Sequence, residues 1–476
     1  MESRRDVSSW AWLAAGAALI VLTNLRGQVG ALAWVAPLPL LAYLRRGDGW
    51  RTRGWLAATV IGAWVLATLK IVTPPMPWLL AALFGVPIGL FHLLPFLAWD
   101  TVRHRCLPWL APIAFAAAGV VSEWAQWRLT PLGSWGAAAY TQVDDLPLLQ
   151  LASLTGFAGV SLLLYWLPAS VEAALAERGR AGSLRSVAAA GVLVAAAHLF
   201  GAARLDAGLT GETARVAAVG TDATFAGLPL PDAEVSRRSD DALFARTRQA
   251  ARTGARVVVW TEAATLALPA DEGSLVERAQ EVARAERIEL VMAYIVPVQL
   301  SPLRFENKYR WIRPDGSVDH VYLKHEPVPG EPALRGTGAP GLVETAAGRA
   351  SGAICYDYDF PHLGRAQAQR GVDLVALPSS DWRGIDPLHT QMAAVRAIEG
   401  GFSLVRSTRF GLAAVVDPLG RARGWLSANE SAERVLISSV PVHGVRTLYT
   451  RTGDLLPALC GLFLVLLSVI DWQRRT

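Results

Sequence analysis

Apolar runs and the polar residues that punctuate them divide the 476-residue chain into three parts. Apolar stretches of roughly 17 to 25 residues, enough to cross about 30 Å of hydrocarbon, fall near 9 to 25, 29 to 44, 54 to 73, 78 to 99, 107 to 127, 149 to 175, 184 to 203 and 453 to 470. Eight membrane helices are expected, the second being the shortest. Between the seventh and the eighth, from about 210 to 450, charge density is ordinary and no run is long enough to span. There the pattern switches to short runs rich in Val, Ile and Ala, which predict strands at 215–219, 256–260, 289–296, 309–312, 320–323, 350–355, 373–377, 403–407, 411–416 and 432–440. Helices are predicted between them at about 233–254, 273–286, 360–370 and 388–400. Strands and helices mixed in this order imply a layered α/β sandwich. A turn at Pro314-Asp315-Gly316 joins two strands directly, so the sheet is not wholly parallel. The expected organisation is helices over 1–209, an inserted domain over 210–450, and a last helix with its tail over 451–476.

Composition agrees with the pattern. The chain is 52% hydrophobic and 18% charged, with a mean hydropathy of +0.31, more apolar than soluble globules usually are. Cys106, Cys355 and Cys460 lie far apart, without the spacing of a disulfide framework or zinc site. The net charge of +5 comes from arginines in short bursts and forms no continuous basic face, so no nucleic-acid partner is expected. Those bursts orient the chain. Arg4 and Arg5, then Arg45, Arg46, Arg51 and Arg53, then Arg103 and Arg105, then Arg178, Arg180 and Arg185, and finally Arg474 and Arg475 all fall in alternate connections. The intervening connections hold little positive charge, chiefly Arg26 and Arg128. Positive residues stay on the cytoplasmic side, so both termini are expected inside the cell and the inserted domain outside. The first apolar segment follows Arg4 and Arg5 without a small-residue cleavage site, and reads as a retained helix.

Within the inserted domain three side chains stand out. Glu262 follows VVVW, Lys324 follows HVYL, and Cys355 closes AGRASGAIC. Taken singly, they read as a solvated carboxylate, a surface lysine and an inert buried thiol. Together, each at the C-terminal tip of a separate strand, they read as a site, because α/β folds gather reactive groups at those tips. A thiol with a pKa of about 8.5 is only a few per cent thiolate at neutral pH, so a carboxylate base makes it a useful nucleophile. An ammonium, with the backbone N–H after Cys355, can stabilise the oxyanion formed at an attacked carbonyl. This chemistry calls for no metal or cofactor, and Walker and HExxH patterns are absent from the sequence.

Glu262, Lys324 and Cys355, in that order, resemble the triad of the nitrilase, or carbon–nitrogen hydrolase, superfamily. With seven helices before such a domain and one after it, the chain resembles the bacterial apolipoprotein N-acyltransferase family over almost its whole length. The resemblance includes GSWGAAAYTQ and LLQLASLTGFAGVSLLL, Asn307, VPGE ending at Glu331, CYD at Cys355, and HTQMAAVRAIEGGFSLVRST from His389 to Thr408. It implies a nitrilase-like αββα sandwich with Glu262, Lys324 and Cys355 catalytic, and with Glu331, Asn307, Tyr356, Asp357, Trp382 and Tyr140 supporting or contacting substrate. Three places depart from the family pattern. KHEPVPGE lacks an aromatic before Gly330 and gains Glu326, so the second carboxylate is Glu326 or Glu331, alignment through Val328-Pro329 favouring Glu331. Asp357 stands where Glu is usual, and Ser379-Ser380 where Asn-Asp is usual.

The activity the resemblance implies is acyl transfer from a phospholipid, through a thioester on Cys355, to the N-terminal amine of a diacylglyceryl-cysteine apolipoprotein. The enzyme would be a multi-pass monomer of the bacterial inner membrane with its catalytic domain in the periplasm. Trp124, Trp127, Trp135 and Tyr140 are expected to line the acyl entry or to form an interfacial aromatic belt. The competing readings are a membrane-anchored amidase that gives the acyl group to water, an acyltransferase with another amine acceptor, and an inactive paralogue that binds lipid or a partner.

Overall fold

A computed structural model describes residues 3–74, 76–104, 109–223 and 228–473. Arg105, Cys106, Arg474 and Arg475 lie outside these. The chain divides into two compact units, 1–207 together with 451–476, and 208–450.

The first unit is helical. Gly49–Leu69, Leu80–Arg103, Phe157–Ala176 and Ala181–Ala207 are each long and apolar enough to cross a membrane. Ser3–Thr23, Leu110–Leu129 and Leu455–Gln473 are also long helices. The second apolar run differs from expectation. It folds as a 3-10 turn, Gly30–Trp34, and a separate nine-residue helix, Leu38–Arg46. Pro37 and Pro39 explain the break, since proline removes an N–H and is tolerated only in a first turn. Nine residues rise only about 14 Å. Acidic residues near the helix ends are paired: Glu172 with Arg45 at 2.7 Å, and Asp100 with Arg53 at 2.9 Å and Arg103 at 2.8 Å. Pairing is what makes such charges tolerable near hydrocarbon.

The second unit is a four-layer sandwich. One sheet contains β1 (Thr213–Val219), β2 (Val257–Trp260), β3 (Glu289–Leu300), β4 (Leu303–Ile312) and β5 (Val318–Leu323), with β12 (Val435–Pro441) outside β1, in the order β12-β1-β2-β3-β4-β5. The other contains β6 (Val343–Thr345), β7 (Gly348–Gly352), β8 (Leu374–Ser380), β9 (Ser403–Arg409), β10 (Leu412–Val416) and β11 (Ala422–Ser427), in the order β11-β10-β9-β8-β7-β6. Strand alternation fixes the layers. Val257 and Val259 of β2, Leu374 and Ala376 of β8, and Val405 of β9 meet in the core between the sheets. Val258 and Trp260 point the other way, against helices Ala233–Arg252 and Glu272–Glu286. Val375, Leu377 and Leu404 pack toward helices Pro361–Gln369 and Leu388–Gly400. Both faces of the central strands are covered, which is why they read as unbroken apolar runs. The turn at 314–316 does join β4 to β5 antiparallel, with Gly316 at φ 83.

Candidate functional site

Strand β2 ends at Trp260, and Glu262 follows two residues later, its N–H donating to Ser379 O at the end of β8, 3.2 Å away. The two sheets are thus tied together at their C-terminal tips. Lys324 immediately follows β5, and its N–H is held by Asn307 O of β4 at 2.9 Å. Cys355 was expected as the last residue of a strand. Strand β7 instead stops at Gly352, and Cys355 opens a 3-10 turn, Cys355–Asp359, with φ 47. Ala263, next to Glu262, has the same left-handed φ of 47. Such conformations cost non-glycine residues of order 1–3 kcal/mol and gather at functional turns.

The side chains of Glu262, Lys324 and Asn307 are buried and form one cluster with that of Glu331, which is partly exposed. Lys324 Nζ donates to Glu262 Oε1 and to Glu331 Oε2, both at 2.8 Å. Asn307 Nδ2 bridges the same two carboxylates, at 2.7 Å to Glu262 and 3.0 Å to Glu331. The Val328 N–H adds a third bond to Glu331 at 2.9 Å. Glu331 therefore supplies the second carboxylate, while Glu326 pairs with Arg335 instead. Lys324 is only 1% exposed. Burial alone would lower its pKa, but Glu262, Glu331 and the nearby Cys355 outweigh that and hold the ammonium well above its ordinary value. Burial pushes Glu331 up, and Lys324 more than reverses it, so the carboxylate sits below the usual range.

Cys355 is 3% exposed, with Sγ 3.5 Å from Ser380 O. Burial first, and Glu262 second, raise its pKa well above the ordinary value, against the opposing pull of Lys324 and Arg406. At rest the Cys355 side chain is a thiol. A thiol in this state can act as a nucleophile only with a base beside it, and Glu262 is the carboxylate whose charge it feels most strongly. Asp357 faces away from this chemistry. Its carboxylate accepts from Tyr322 Oη and Ile354 N, both at 2.8 Å, and from the N–H groups of His325 at 3.1 Å and Glu326 at 2.7 Å. It ties the turn that bears Cys355 to the segment after Lys324, and burial raises its pKa to about 7. Tyr356 is buried with its ring edge-on to Phe360, and Trp382 lies half-buried just beyond β8.

Tyr140 belongs to the helical unit, where it is 4% exposed, stacked on Phe157 at 5.6 Å and bonded to Ser134 Oγ at 2.8 Å. Trp127 and Trp135 are also buried in that unit. Trp124 is half-buried and donates to Asp454 at 3.2 Å.

Four charged groups that the sequence does not single out adjoin Cys355. Asp381 Oδ1 accepts from His389 Nδ1 at 2.7 Å and from Arg406 Nη2 at 2.8 Å, and His389 Nε2 reaches Asp359 at 2.9 Å. Candidate ligand atoms of Cys355, Asp381 and His389 all lie within 4.8 Å of one another. This is nonetheless a poor donor set for a metal ion. Both ring nitrogens of His389 are committed to carboxylates, and the Arg406 guanidinium fills the position beside Asp381. Burial opposes protonation of His389, but Asp359 and Asp381 overcome it and raise its pKa to about 9. The one signal in the sequence is an arginine inside the apolar strand SLVRST, since a cation buried in a sheet needs a buried acid.

The pKa of His389 makes stability depend on pH. The folded value, about 9, exceeds the ordinary 6.5, so this stabilisation is fully present below pH 6.5 and is lost as pH rises through 9. The gap is worth about 3 kcal/mol. In detergent, the thermal midpoint of the wild type is expected to fall by several degrees between pH 6.5 and 9.5, and His389→Gln to lower it at pH 6.5 and flatten the slope. Equal slopes in the two proteins would refute the charged imidazole.

The carbon–nitrogen hydrolase family profile matches residues 215–449, and the profile of the apolipoprotein N-acyltransferase N-terminal domain matches residues 16–170. An apolipoprotein N-acyltransferase from Bradyrhizobium diazoefficiens is 29% identical over 97% of this chain and 96% of its own length. One from Rhodopseudomonas palustris is 28% identical over 86% and 83%, and one from Geobacter metallireducens 26% identical over 96% and 94%. A domain of the one profile, carried behind a domain of the other and matched along nearly the full length of these relatives, places the chain in the apolipoprotein N-acyltransferase family of the carbon–nitrogen hydrolase superfamily.

Proposed function

We propose that this chain transfers an acyl chain from a phospholipid, through a thioester on Cys355, to the N-terminal amine of a diacylglyceryl-cysteine apolipoprotein. The observation that carries the reading is the Glu262–Lys324–Glu331–Asn307 cluster beside a buried thiol, in a carbon–nitrogen hydrolase domain joined to apolar helices. In the first half-reaction Glu262 takes the thiol proton, and Sγ attacks the donor's ester carbonyl carbon. Lys324 stabilises the oxyanion with the ammonium proton that neither carboxylate holds. Collapse expels the lysophospholipid alkoxide, which recovers the proton from Glu262, and leaves the thioester. In the second, Glu262 accepts a proton as the lipopeptide amine attacks, the amide forms, and the departing thiolate takes that proton back to restore the thiol. Glu331 and Asn307 position Lys324 and Glu262, and Asp357 holds the nucleophile turn. Tyr356 and Trp382 border the acyl path, and Tyr140 shapes the helical unit that serves the lipid.

The arginine bursts support a bacterial inner-membrane orientation with cytoplasmic termini and the 210–450 domain in the periplasm. Both substrates carry acyl chains whose extraction from lipid costs about 0.8 kcal/mol per CH₂. A site at the membrane surface avoids that cost.

Intact-protein mass after incubation with phospholipid tests the first half-reaction. The expected result is a gain of one acyl group, removable by hydroxylamine. Adding a diacylglyceryl-cysteine lipopeptide should discharge it as an N-acyl amide. Absence of the adduct would overturn the proposal, and discharge as free fatty acid despite the amine would make the protein a hydrolase.

A further inference from the structure

We infer that Arg409 forms an anion subsite beside Cys355 and binds the phosphodiester of the phospholipid acyl donor, an assignment that rests on the acyl-transfer reading above. Arg409 ends β9, paired in register with Ser380 at the end of β8. Alternation along β9 places Val405, Ser407 and Arg409 on one face. Val405 lies in the core between the sheets, and Ser407 Oγ reaches Val219 O on the opposite sheet at 3.3 Å. Cys355 lies in that same core.

The contacts of Arg409 place it between base and nucleophile. Its Nη1 donates to Ala263 O at 3.3 Å, in the residue after Glu262. Its Nε reaches Ser380 Oγ at 3.3 Å, and Ser380 is the residue whose carbonyl lies 3.5 Å from Cys355 Sγ. A third bond goes to Ala223 O at 3.3 Å, and Phe410 lies under the guanidinium at 4.9 Å. Every one of these acceptors is neutral. Among the described residues no carboxylate pairs with Arg409, although it is only 7% exposed.

Arg406, three residues earlier and equally inaccessible, shows the usual solution, with two bonds to Asp381. A buried cation held only by carbonyls and a hydroxyl does not recover its desolvation cost. The acid whose charge acts on it, Glu262, is already held by Lys324 and Asn307. Burial accordingly pulls the Arg409 pKa down, with Glu262 and Cys355 opposing it. Nη2 makes no bond to the described residues, and a guanidinium edge matches two oxygens of a phosphate. In a diacyl phospholipid only the glycerol separates the phosphate from the ester carbonyl that must reach Sγ, so the two groups can engage Arg409 and Cys355 at once.

The test compares two acyl donors in mixed detergent micelles with the full-length protein. Phosphatidylethanolamine and a diacylglycerol with the same acyl chains present the same ester, but only the first carries a phosphate. Single-turnover acylation of Cys355 is read by intact mass. Arg409→Gln is expected to reduce the wild-type preference for the phospholipid about tenfold or more, the size of one charge-assisted hydrogen bond, mainly through half-saturating donor concentration. Arg409→Lys should recover part of it. An equal loss with both donors would overturn the assignment in favour of a role in supporting the thiolate or the fold, and an unchanged preference would overturn it too. Failure of the wild type to load from either donor is a different pattern, which removes the acyl-transfer reading and this assignment with it.

Discussion

Replacing Cys355 by alanine is expected to abolish acyl loading altogether, while Glu262→Gln in the presence of Cys355 slows loading by about 10²- to 10⁴-fold, the range of a lost general base. The two substitutions probe the same proton. The Cys355 thiol is buried and held protonated well above its ordinary pKa, so almost none of it ionises without help at neutral pH. Glutamine keeps the shape of Glu262 and an oxygen for Lys324 and Asn307 to bond, but it cannot accept the thiol proton. Raising the pH should rescue Glu262→Gln in part, because solvent hydroxide then supplies the thiolate, and should do nothing for Cys355→Ala. Intact-protein mass against time, at two pH values, reads both. Wild-type loading rates in Glu262→Gln would reject the glutamate as base.

Much of this site was legible because strand tips are legible. VVVW, HVYL and the run up to Cys355 mark β2, β5 and β7, and their C-terminal ends do converge. The misses have physical causes. Strand β11 is an edge with mostly exposed or half-exposed residues, so ARGWLS carries little apolar signal. Strand β6 is three residues long and leaves no period to read. The second apolar run looks spanning by hydropathy, yet Pro37 and Pro39 divide it. The Asp359–His389–Asp381–Arg406 network was hidden by separation along the chain. His389 sits in the first turn of a helix and Arg406 in a strand 17 residues later, and neither neighbourhood suggests a partner.

The departures from the family pattern also become intelligible. Asp357 is one methylene shorter in reach than glutamate, and its carboxylate is spent on two backbone N–H groups beyond Lys324, on Ile354 N and on Tyr322. It acts as a brace between two strand tips. Ser379 and Ser380 meet Glu262 and Cys355 through backbone carbonyls, one accepting from Glu262 N–H and the other lying beside Sγ, while Ser380 Oγ accepts from Arg409. Main-chain roles tolerate a change of side chain, so neither serine disturbs the thiol chemistry. The extra Glu326 is drawn off by Arg335, which leaves Lys324 with two carboxylates.

Lys324→Met should both inactivate and destabilise the protein, and the two effects can be separated. Removing the ammonium leaves the buried Glu262 and the half-buried Glu331 side by side, each bonded to the same Asn307 amide nitrogen and neither neutralised. Stranding one side of a buried ion cluster costs about 3–5 kcal/mol, and two carboxylates that share a site respond by retaining a proton. The oxyanion also loses its cation, worth a factor of about 10²–10³. Adding Glu331→Gln to Lys324→Met removes the like-charge conflict, so the thermal midpoint should recover most of its loss, while loading of Cys355 stays as low as in the single variant. That divergence is the informative result: recovery of stability without recovery of loading assigns Lys324 to the reaction as well as to the fold. If the double variant regained loading along with stability, the ammonium would be a structural counter-ion alone, and the oxyanion would have to be held by other groups.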